Sequence, residues 1–181
     1  HIWNFDLSSG GKAIGWAKLA YTYEGTTKTR WYNFRNDGVM NSGWLLDAGK
    51  WYSLSLVHDG FFGEMIEGWY LDNRTCRWDY LNGSGAMATG WNNIGGNWYY
   101  LSTTHNGYYG EMIKGWFFDN TDNKWYYLNG DGAMVTGWNK IGGKWYYFTV
   151  NKDNKHPYGS LYVNTTTPDG YKVNADGVWI Q

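Results

Sequence analysis

The chain has little of what most proteins use for crosslinks, kinks or long-range charge. Its 181 residues include one cysteine, Cys76, and two prolines, and the formal net charge is −1. A single cysteine excludes an internal disulfide framework. The balanced charge argues against nucleic acid or an anionic membrane as the partner. No apolar run approaches the roughly 20 residues that a membrane-spanning helix needs.

Aromatic residues and glycine are abundant instead. The chain has 14 Trp, 17 Tyr and 26 Gly, and aromatic residues make up 21% of it. Glycine is frequent, and no apolar stripe with the 3.6-residue spacing of a helix persists along the chain. No helix is therefore predicted. Aliphatic side chains are scarce. We therefore predict an all-β protein whose core is built from stacked rings.

One stretch, Gly137 to Phe148, contains the pattern on which the rest of the chain is built. It reads GWNKIGGKWYYF, two short aromatic runs separated by Gly-Gly. Such a pattern predicts a β-hairpin, because glycine supplies the positive φ angles of a tight turn without steric cost. Side chains alternate between the two faces of a strand. Trp145 and Tyr147 should therefore share one face, and Tyr146 and Phe148 the other.

Gly-Trp pairs recur along the chain at alternating spacings of 25 and 22 residues from Trp44 onward, so the true period is 47 residues. Superposing the stretch Gly60 to Trp91 on Gly107 to Trp138 gives 20 identities in 32 positions. A period of this length indicates a solenoid or a similar array of repeats. Terminal repeats of such arrays are usually irregular. We predict a single repeat array over 1–181, with a degenerate first part (1–43), regular hairpins (44–148) and a C-terminal cap (149–181).

The hairpins come in two lengths. A second Trp follows the Gly-Trp after 7 residues in one series and after 9 in the other, as in Trp91/Trp98 and Trp116/Trp125. Asp- and Asn-rich turns replace Gly-Gly in the longer series, where these residues tolerate left-handed backbone. A longer hairpin is expected to shift the register of its second strand. We therefore expect the two series to place their Trp pairs differently.

The ordered copies of G-W, W-Y-Y-L and G-x-M-x-x-G-W resemble the choline-binding, or cell-wall-binding, repeat family, which comprises aromatic-glycine modules of Gram-positive bacteria and their phages. The resemblance covers roughly Gly15 to Trp179. It implies a left-handed β-solenoid of stacked hairpins, secreted and held at the cell wall. It also implies ligand sites between hairpins, formed by both Trp of one hairpin and a Tyr of the next.

The chemistry of such a site follows from its ligand. A quaternary ammonium donates no hydrogen bond and is best held by electron-rich ring faces, with Trp the strongest. The third ring is expected at the second Tyr after the next hairpin's Trp, because that position shares a face with the Trp. The predicted sets are Trp44, Trp51 and Tyr80; Trp69, Trp78 and Tyr100; Trp91, Trp98 and Tyr127; and Trp116, Trp125 and Tyr147.

The two ends are expected to lack a complete set. The third position is Ser53 for the Trp16/Trp31 pair and Lys172 for the Trp138/Trp145 pair. Serine offers no ring, and a lysine ammonium repels a cation. We therefore expect no working cage at either end of the array.

Other functions stay open at this point. A glycan-binding module of the same fold would stack sugars on the rings and use neighbouring polar side chains such as Asn92, Asn93, Asn139 and Lys140. A purely structural spacer would bury every ring. No catalytic or metal-binding motif is present and no cofactor is predicted; enzymatic activity would need a further domain, such as a wall hydrolase. The favoured reading is a non-catalytic anchor for choline-bearing wall polymers such as teichoic acid, with its oligomeric state open.

Overall fold

The computed structural model describes residues 4–180 and consists of β-strands joined by turns and links. Twelve of the strands form six antiparallel hairpins, and a small antiparallel sheet of three strands follows them. We number the hairpins 1 to 6 in chain order. Their strands are β1 Gly15–Tyr23, β2 Thr26–Phe34, β3 Gly43–Asp47, β4 Lys50–Leu54, β5 Gly68–Asp72, β6 Arg77–Leu81, β7 Gly90–Ile94, β8 Asn97–Leu101, β9 Gly115–Asp119, β10 Lys124–Leu128, β11 Gly137–Ile141 and β12 Lys144–Phe148. The last sheet contains β13 Thr165–Thr166, β14 Lys172–Val173 and β15 Trp179–Ile180.

The chain divides into two compact units, His1–Ala88 and Thr89–Gln181. Hairpins 1 to 3 belong to the first unit, and hairpins 4 to 6 with the small sheet belong to the second. The single array over 1–181 stays a prediction.

Hairpins of both lengths share one register, so the expected shift between them is wrong. In hairpin 4 Trp91 lies opposite Tyr100, two residues after Trp98. In hairpin 5 Trp116 lies opposite Tyr127, again two residues after the second Trp. The longer series places its two additional residues in the turn between β9 and β10, where Asn123 adopts a φ of 56°. The turn absorbs the extra length because asparagine tolerates left-handed backbone, and the ladder is unchanged.

The innermost side chains are aliphatic more often than aromatic, which corrects the prediction of a core built from stacked rings. The last residue of each hairpin's second strand is almost completely buried. These residues are Phe34, Leu54 and Leu81 in the first unit, and Leu101, Leu128 and Phe148 in the second. Each hairpin therefore contributes one such residue to the core. The scarcity of leucine in the sequence reflects how few positions are fully enclosed.

The links between hairpins connect the repeats within each unit. Met134, in the link after hairpin 5, donates its backbone N–H to the carbonyl of Trp98 in hairpin 4, 2.8 Å away. Met87 bonds to the Trp51 carbonyl in the same way. The methionine side chains pack on glycines of the next link: a Cβ added to Gly132 would lie 2.3 Å from Sδ of Met112. Methionine therefore packs the repeats together, a role that its flexible side chain suits.

Candidate functional site: aromatic cages between hairpins

Each hairpin has two different faces. In hairpin 5 the register places Trp116, Trp125 and Tyr127 on one face, together with Phe118. We call this side, which carries both Trp of a hairpin, the indole face. The other side, which in hairpin 5 carries Phe117 and Tyr126, we call the opposite face.

In hairpins 2 and 5 the two Trp form two walls at right angles. The ring centroids of Trp44 and Trp51 are 6.5 Å apart with an interplanar angle of 84°. Trp116 and Trp125 are 6.4 Å apart at 84°. The first pair belongs to a short hairpin and the second to a long one, so the turn does not alter the geometry of the walls. The second Trp is well placed to meet a ligand, since Trp125 is 45% exposed.

The ring that meets the first Trp from the next hairpin comes from that hairpin's opposite face. Tyr126 lies 4.9 Å from Trp91, and Tyr146 lies 4.9 Å from Trp116, measured between ring centroids. Strand alternation places both tyrosines on the face that does not carry the Trp residues of their own hairpin. Tyr126 is buried. Yet each also contacts the Trp of the preceding hairpin.

The predicted third rings lie elsewhere. Tyr127 faces Trp116 of its own hairpin at 5.2 Å, and Tyr147 faces Trp138 of its own hairpin at 5.2 Å. The reason is the direction of stacking: the indole face of one hairpin meets the opposite face of the next. A residue that shares a face with the next hairpin's Trp therefore points to the hairpin after it. The register places the two Trp of each predicted set on one face, and ring contacts join Trp44 with Trp51 and Trp116 with Trp125, but these tyrosines belong to the following repeat.

The remaining predicted sets follow the same rule. Tyr80 lies opposite Trp69 of its own hairpin, at 5.1 Å. The ring that reaches Trp44 is Tyr70, at 5.7 Å, because Asp79 occupies in hairpin 3 the place that Tyr126 has in hairpin 5.

Tyr100 likewise lies opposite Trp91 of its own hairpin, at 5.2 Å. The set of Trp69, Trp78 and Tyr100 divides between the two units and stays a prediction.

Both ends have the ring that was expected to be missing. Tyr52 lies 4.8 Å from Trp16, and Tyr171 lies 5.8 Å from Trp138. The argument from Ser53 and Lys172 is wrong for the same geometrical reason, since the residue one place earlier is the one that faces the preceding Trp. Trp145 and Tyr171 are 41% and 50% exposed, so the last pair of hairpin faces offers accessible rings.

A recurring carboxylate, which the sequence reasoning missed, contacts the edge of most first Trp residues. The indole N–H donates to an aspartate of the next repeat, at distances of 2.8 to 3.0 Å. The pairs are Trp16 with Asp47, Trp44 with Asp72, Trp91 with Asp119, and Trp138 with Asp169. In three of them the aspartate is the last residue of the strand that begins with Gly-Trp. That spacing was visible in the sequence, but nothing in it indicated the partner.

Two of these carboxylates, Asp119 and Asp72, are held in the charged form. Burial alone would raise the pKa of Asp119, but hydrogen bonds from Thr121 and Trp91 outweigh it and lower the pKa below the ordinary value. The pKa of Asp72 is lowered too, because bonds from Arg74 and Trp44 outweigh burial. Asp119 and Asp72 are only 5% and 4% exposed. A buried negative charge therefore lies at the edge of the cage walls.

Two of the polar side chains considered for sugar binding are already engaged. The amide of Asn92 donates to the carbonyls of Thr89 and Gly90, and that of Asn139 donates to the carbonyls of Thr136 and Gly137. Each thus holds the backbone before its own Trp. Asn93 and Lys140 remain exposed.

The described residues contain no group of three or more His, Cys, Asp or Glu side chains that could hold a metal ion. Over residues 4–180 there is also no helix with the length and apolarity needed to cross a membrane.

Repeated hairpins whose ring-bearing faces meet at the junctions within each unit define an aromatic-repeat binding module. A family model described as a choline-binding repeat matches residues 88–136, and one described as a putative cell wall binding repeat matches residues 136–151. CbpJ from Streptococcus pneumoniae TIGR4 is 31% identical over 99% of this chain and 76% of its own, with a TM-score of 0.50. The chain therefore belongs to the family of choline-binding repeat proteins.

A second solved structure supports the assignment. CbpF, the choline binding protein F of Streptococcus pneumoniae, in complex with ipratropium, is 36% identical over 95% of this chain, with a TM-score of 0.76. The predicted fold class, an all-β repeat of stacked hairpins, is confirmed. The chain spans about half the length of the CbpF chain. No curated protein matches it. Membership marks the chain as a cell-wall-binding, surface-associated module.

Proposed function

We propose that this chain is a non-catalytic attachment module that holds the choline groups of wall polymers, such as teichoic acid, and anchors a larger secreted protein. What supports this most is the pair of perpendicular indole walls at Trp44/Trp51 and Trp116/Trp125. A quaternary ammonium between two such faces lies over both ring clouds at once, which is the arrangement that cation–π attraction favours.

The ligand set that we now favour differs from the one read from the sequence. Each cage takes both Trp of one hairpin and a ring from the opposite face of the next repeat. The proposed third rings are Tyr52 for Trp16, Tyr70 for Trp44, Tyr126 for Trp91, Tyr146 for Trp116 and Tyr171 for Trp138. The proposed cages therefore include those at the two ends of the array, at Trp16 and Trp138.

Several weak cages on one chain suit a repetitive polymer. Once one cage has bound, the others meet a high effective concentration of ligand groups, so the overall affinity greatly exceeds that of a single site. The same argument holds for a glycan polymer, which is the alternative ligand. The engagement of Asn92 and Asn139 with the backbone leaves fewer side chains to bond sugar hydroxyls and favours choline.

The test is a titration of intrinsic Trp fluorescence with choline chloride, with sodium chloride as the ionic control. We expect a saturable change with choline alone. Trp125→Ala should remove part of the change, since its ring is exposed and forms one wall of a cage. Tyr158→Ala, which deletes an equally exposed ring in a link, should leave it intact.

Absence of any saturable choline response would contradict the choline proposal, and a glycan array on the same protein would then decide for or against the alternative. Equal losses in both variants would show that the rings report on folding rather than on a site.

A further inference from the structure

The carboxylates at the indole edges divide the cages into different kinds. Asp119 accepts the N–H of Trp91 at 2.8 Å, from the last position of β9. The corresponding position of β11, in the repeat that faces Trp116, is Ile141. Trp116 is instead surrounded by rings: Tyr146, Tyr127, Phe148 and Trp125 lie 4.9 to 6.4 Å from it. One cage of the second unit thus has a charged edge, and the next has an uncharged one.

The charged edges also differ among themselves. Asp72 forms an ion pair with Arg74, whose Nη2 lies 2.8 Å from its Oδ2. Asp119 accepts hydrogen bonds from the backbone N–H and hydroxyl of Thr121 and from the indole of Trp91. Lys124 lies opposite it in the ladder, but no ion pair to Asp119 is formed among the described residues. The charge of Asp119 is therefore not offset by a direct ion pair, whereas that of Asp72 is paired with Arg74.

A negative charge at this place acts on a bound cation in two ways. A cation held within about 6 Å of the indole centroid lies inside the screening length of about 8–10 Å from the carboxylate at the ring edge. Burial of Asp119 further weakens the screening. The charge-assisted hydrogen bond also polarises the indole and makes its face more negative, which strengthens the attraction of that face for a cation.

We propose that Asp119 is a specificity-determining residue that makes the Trp91/Trp98 cage select a cation over a neutral ligand of the same shape, whereas the Trp116/Trp125 cage, with Ile141 in its place, selects mainly by shape. The inference rests on the proposed function, since it concerns the same cages. Among these three cages, it predicts that the Trp91 cage discriminates most, the Trp44 cage less because of Arg74, and the Trp116 cage least.

The experiment compares choline with its neutral isostere, in which carbon replaces the quaternary nitrogen. Indole N–H resonances, assigned with single Trp→Phe variants, report each cage of the full chain separately. Asp119→Asn keeps a hydrogen-bond acceptor but removes the charge. We expect about a fivefold loss of choline affinity at the Trp91 cage and a change below about twofold for the isostere.

Two further variants make the comparison independent of how well Asp119→Asn folds. Asp72→Asn should change choline binding at the Trp44 cage by less than about twofold, because Arg74 already offsets that charge. Ile141→Asp should raise choline affinity at the Trp116 cage by about two- to fivefold and leave the isostere unaffected.

Equal loss of both ligands in Asp119→Asn would overturn the proposal and show that Asp119 only shapes the site. Unchanged choline binding in both Asp119→Asn and Ile141→Asp would overturn it as well. If the unaltered chain binds neither ligand, the proposed function itself fails, and the inference falls with it. Saturable binding of choline with no selectivity at any cage would contradict the inference alone.

Discussion

Hairpins 4 and 5 lie next to each other in the second unit and differ mainly in their turns. Hairpin 4 turns through Gly95 and Gly96, and hairpin 5 through an Asp/Asn-rich segment that is two residues longer. Their ladders are nevertheless equivalent, since each places its first Trp opposite the residue two places after the second Trp. Turn length and register are therefore independent in this repeat.

The difference between the two hairpins appears at their junctions. The strand of hairpin 5 ends in Asp119, which bonds the indole of hairpin 4, whereas the strand of hairpin 6 ends in Ile141 and leaves Trp116 with rings alone. Trp91 is half-buried, and Trp116 is exposed. A single position at the end of a strand thus decides the environment of the preceding cage, while the turn beyond it does not.

The largest effect expected concerns what the two hairpins share. Leu101→Ala and Leu128→Ala should each lower the free energy of unfolding by about 2–5 kcal/mol, because both side chains are completely buried and leave a cavity. Denaturant unfolding followed by circular dichroism measures both. If the two losses differed by more than buried Leu→Ala substitutions usually differ from one another, the two hairpins would not be packed equivalently.

A smaller effect separates link glycines from turn glycines. Gly132→Ala forces a Cβ against the sulfur of Met112 at a φ of 80°, whereas Gly142→Ala, at a φ of 57°, meets nothing within 4 Å. We expect a cost of about 2–4 kcal/mol for the first, from strain and overpacking together. The second should cost about 1–2 kcal/mol, from backbone strain alone. Thermal unfolding of both variants gives the order, and the reverse order would show that the methionine moves aside freely.

The junction should respond to acid. Because the pKa of Asp119 is lowered in the folded chain, its contribution to stability is present above the ordinary aspartate pKa of about 4. That contribution is lost as the pH falls through the folded value. The free energy of unfolding should therefore decrease as the pH falls below about 4, and Asp119→Asn should flatten part of that slope. Asp131→Asn, in an exposed turn, is the matched control, and an equal flattening by it would refute the assignment to the junction.

The smallest effect compares the two long turns. Cys76 and Asn123 occupy equivalent positions 47 residues apart and have φ angles of 55° and 56°. Asparagine tolerates left-handed backbone better than cysteine. Cys76→Asn should therefore stabilise the chain by about 0.5 kcal/mol, and Asn123→Cys should destabilise it by a similar amount. Denaturant midpoints measured under reducing conditions check both, and shifts of the same sign would contradict the argument.

Much of this molecule could be predicted from its repeats. The 47-residue period, the hairpins with their Gly-Gly and Asp/Asn turns, and the sharing of one face by Trp116 and Trp125 all follow from local rules of turn chemistry and strand alternation. The expected register shift was wrong because a turn can absorb added residues without altering the ladder. The core was misjudged because composition counts leucines without saying that Leu101 and Leu128 occupy the few enclosed positions.

The sequence by itself determined the hairpins and which side chains lie on the same face of each, because alternation along a strand is a local property. Only the tertiary structure decided which face of one hairpin meets the next. That choice pairs Trp91 with Tyr126 rather than Tyr127, restores rings at both ends, and brings Asp119 to the indole edge. The physical reason is that stacking depends on contacts between repeats, on the Met134 bond to Trp98 and on the methionine–glycine contacts, none of which the period of a single strand contains.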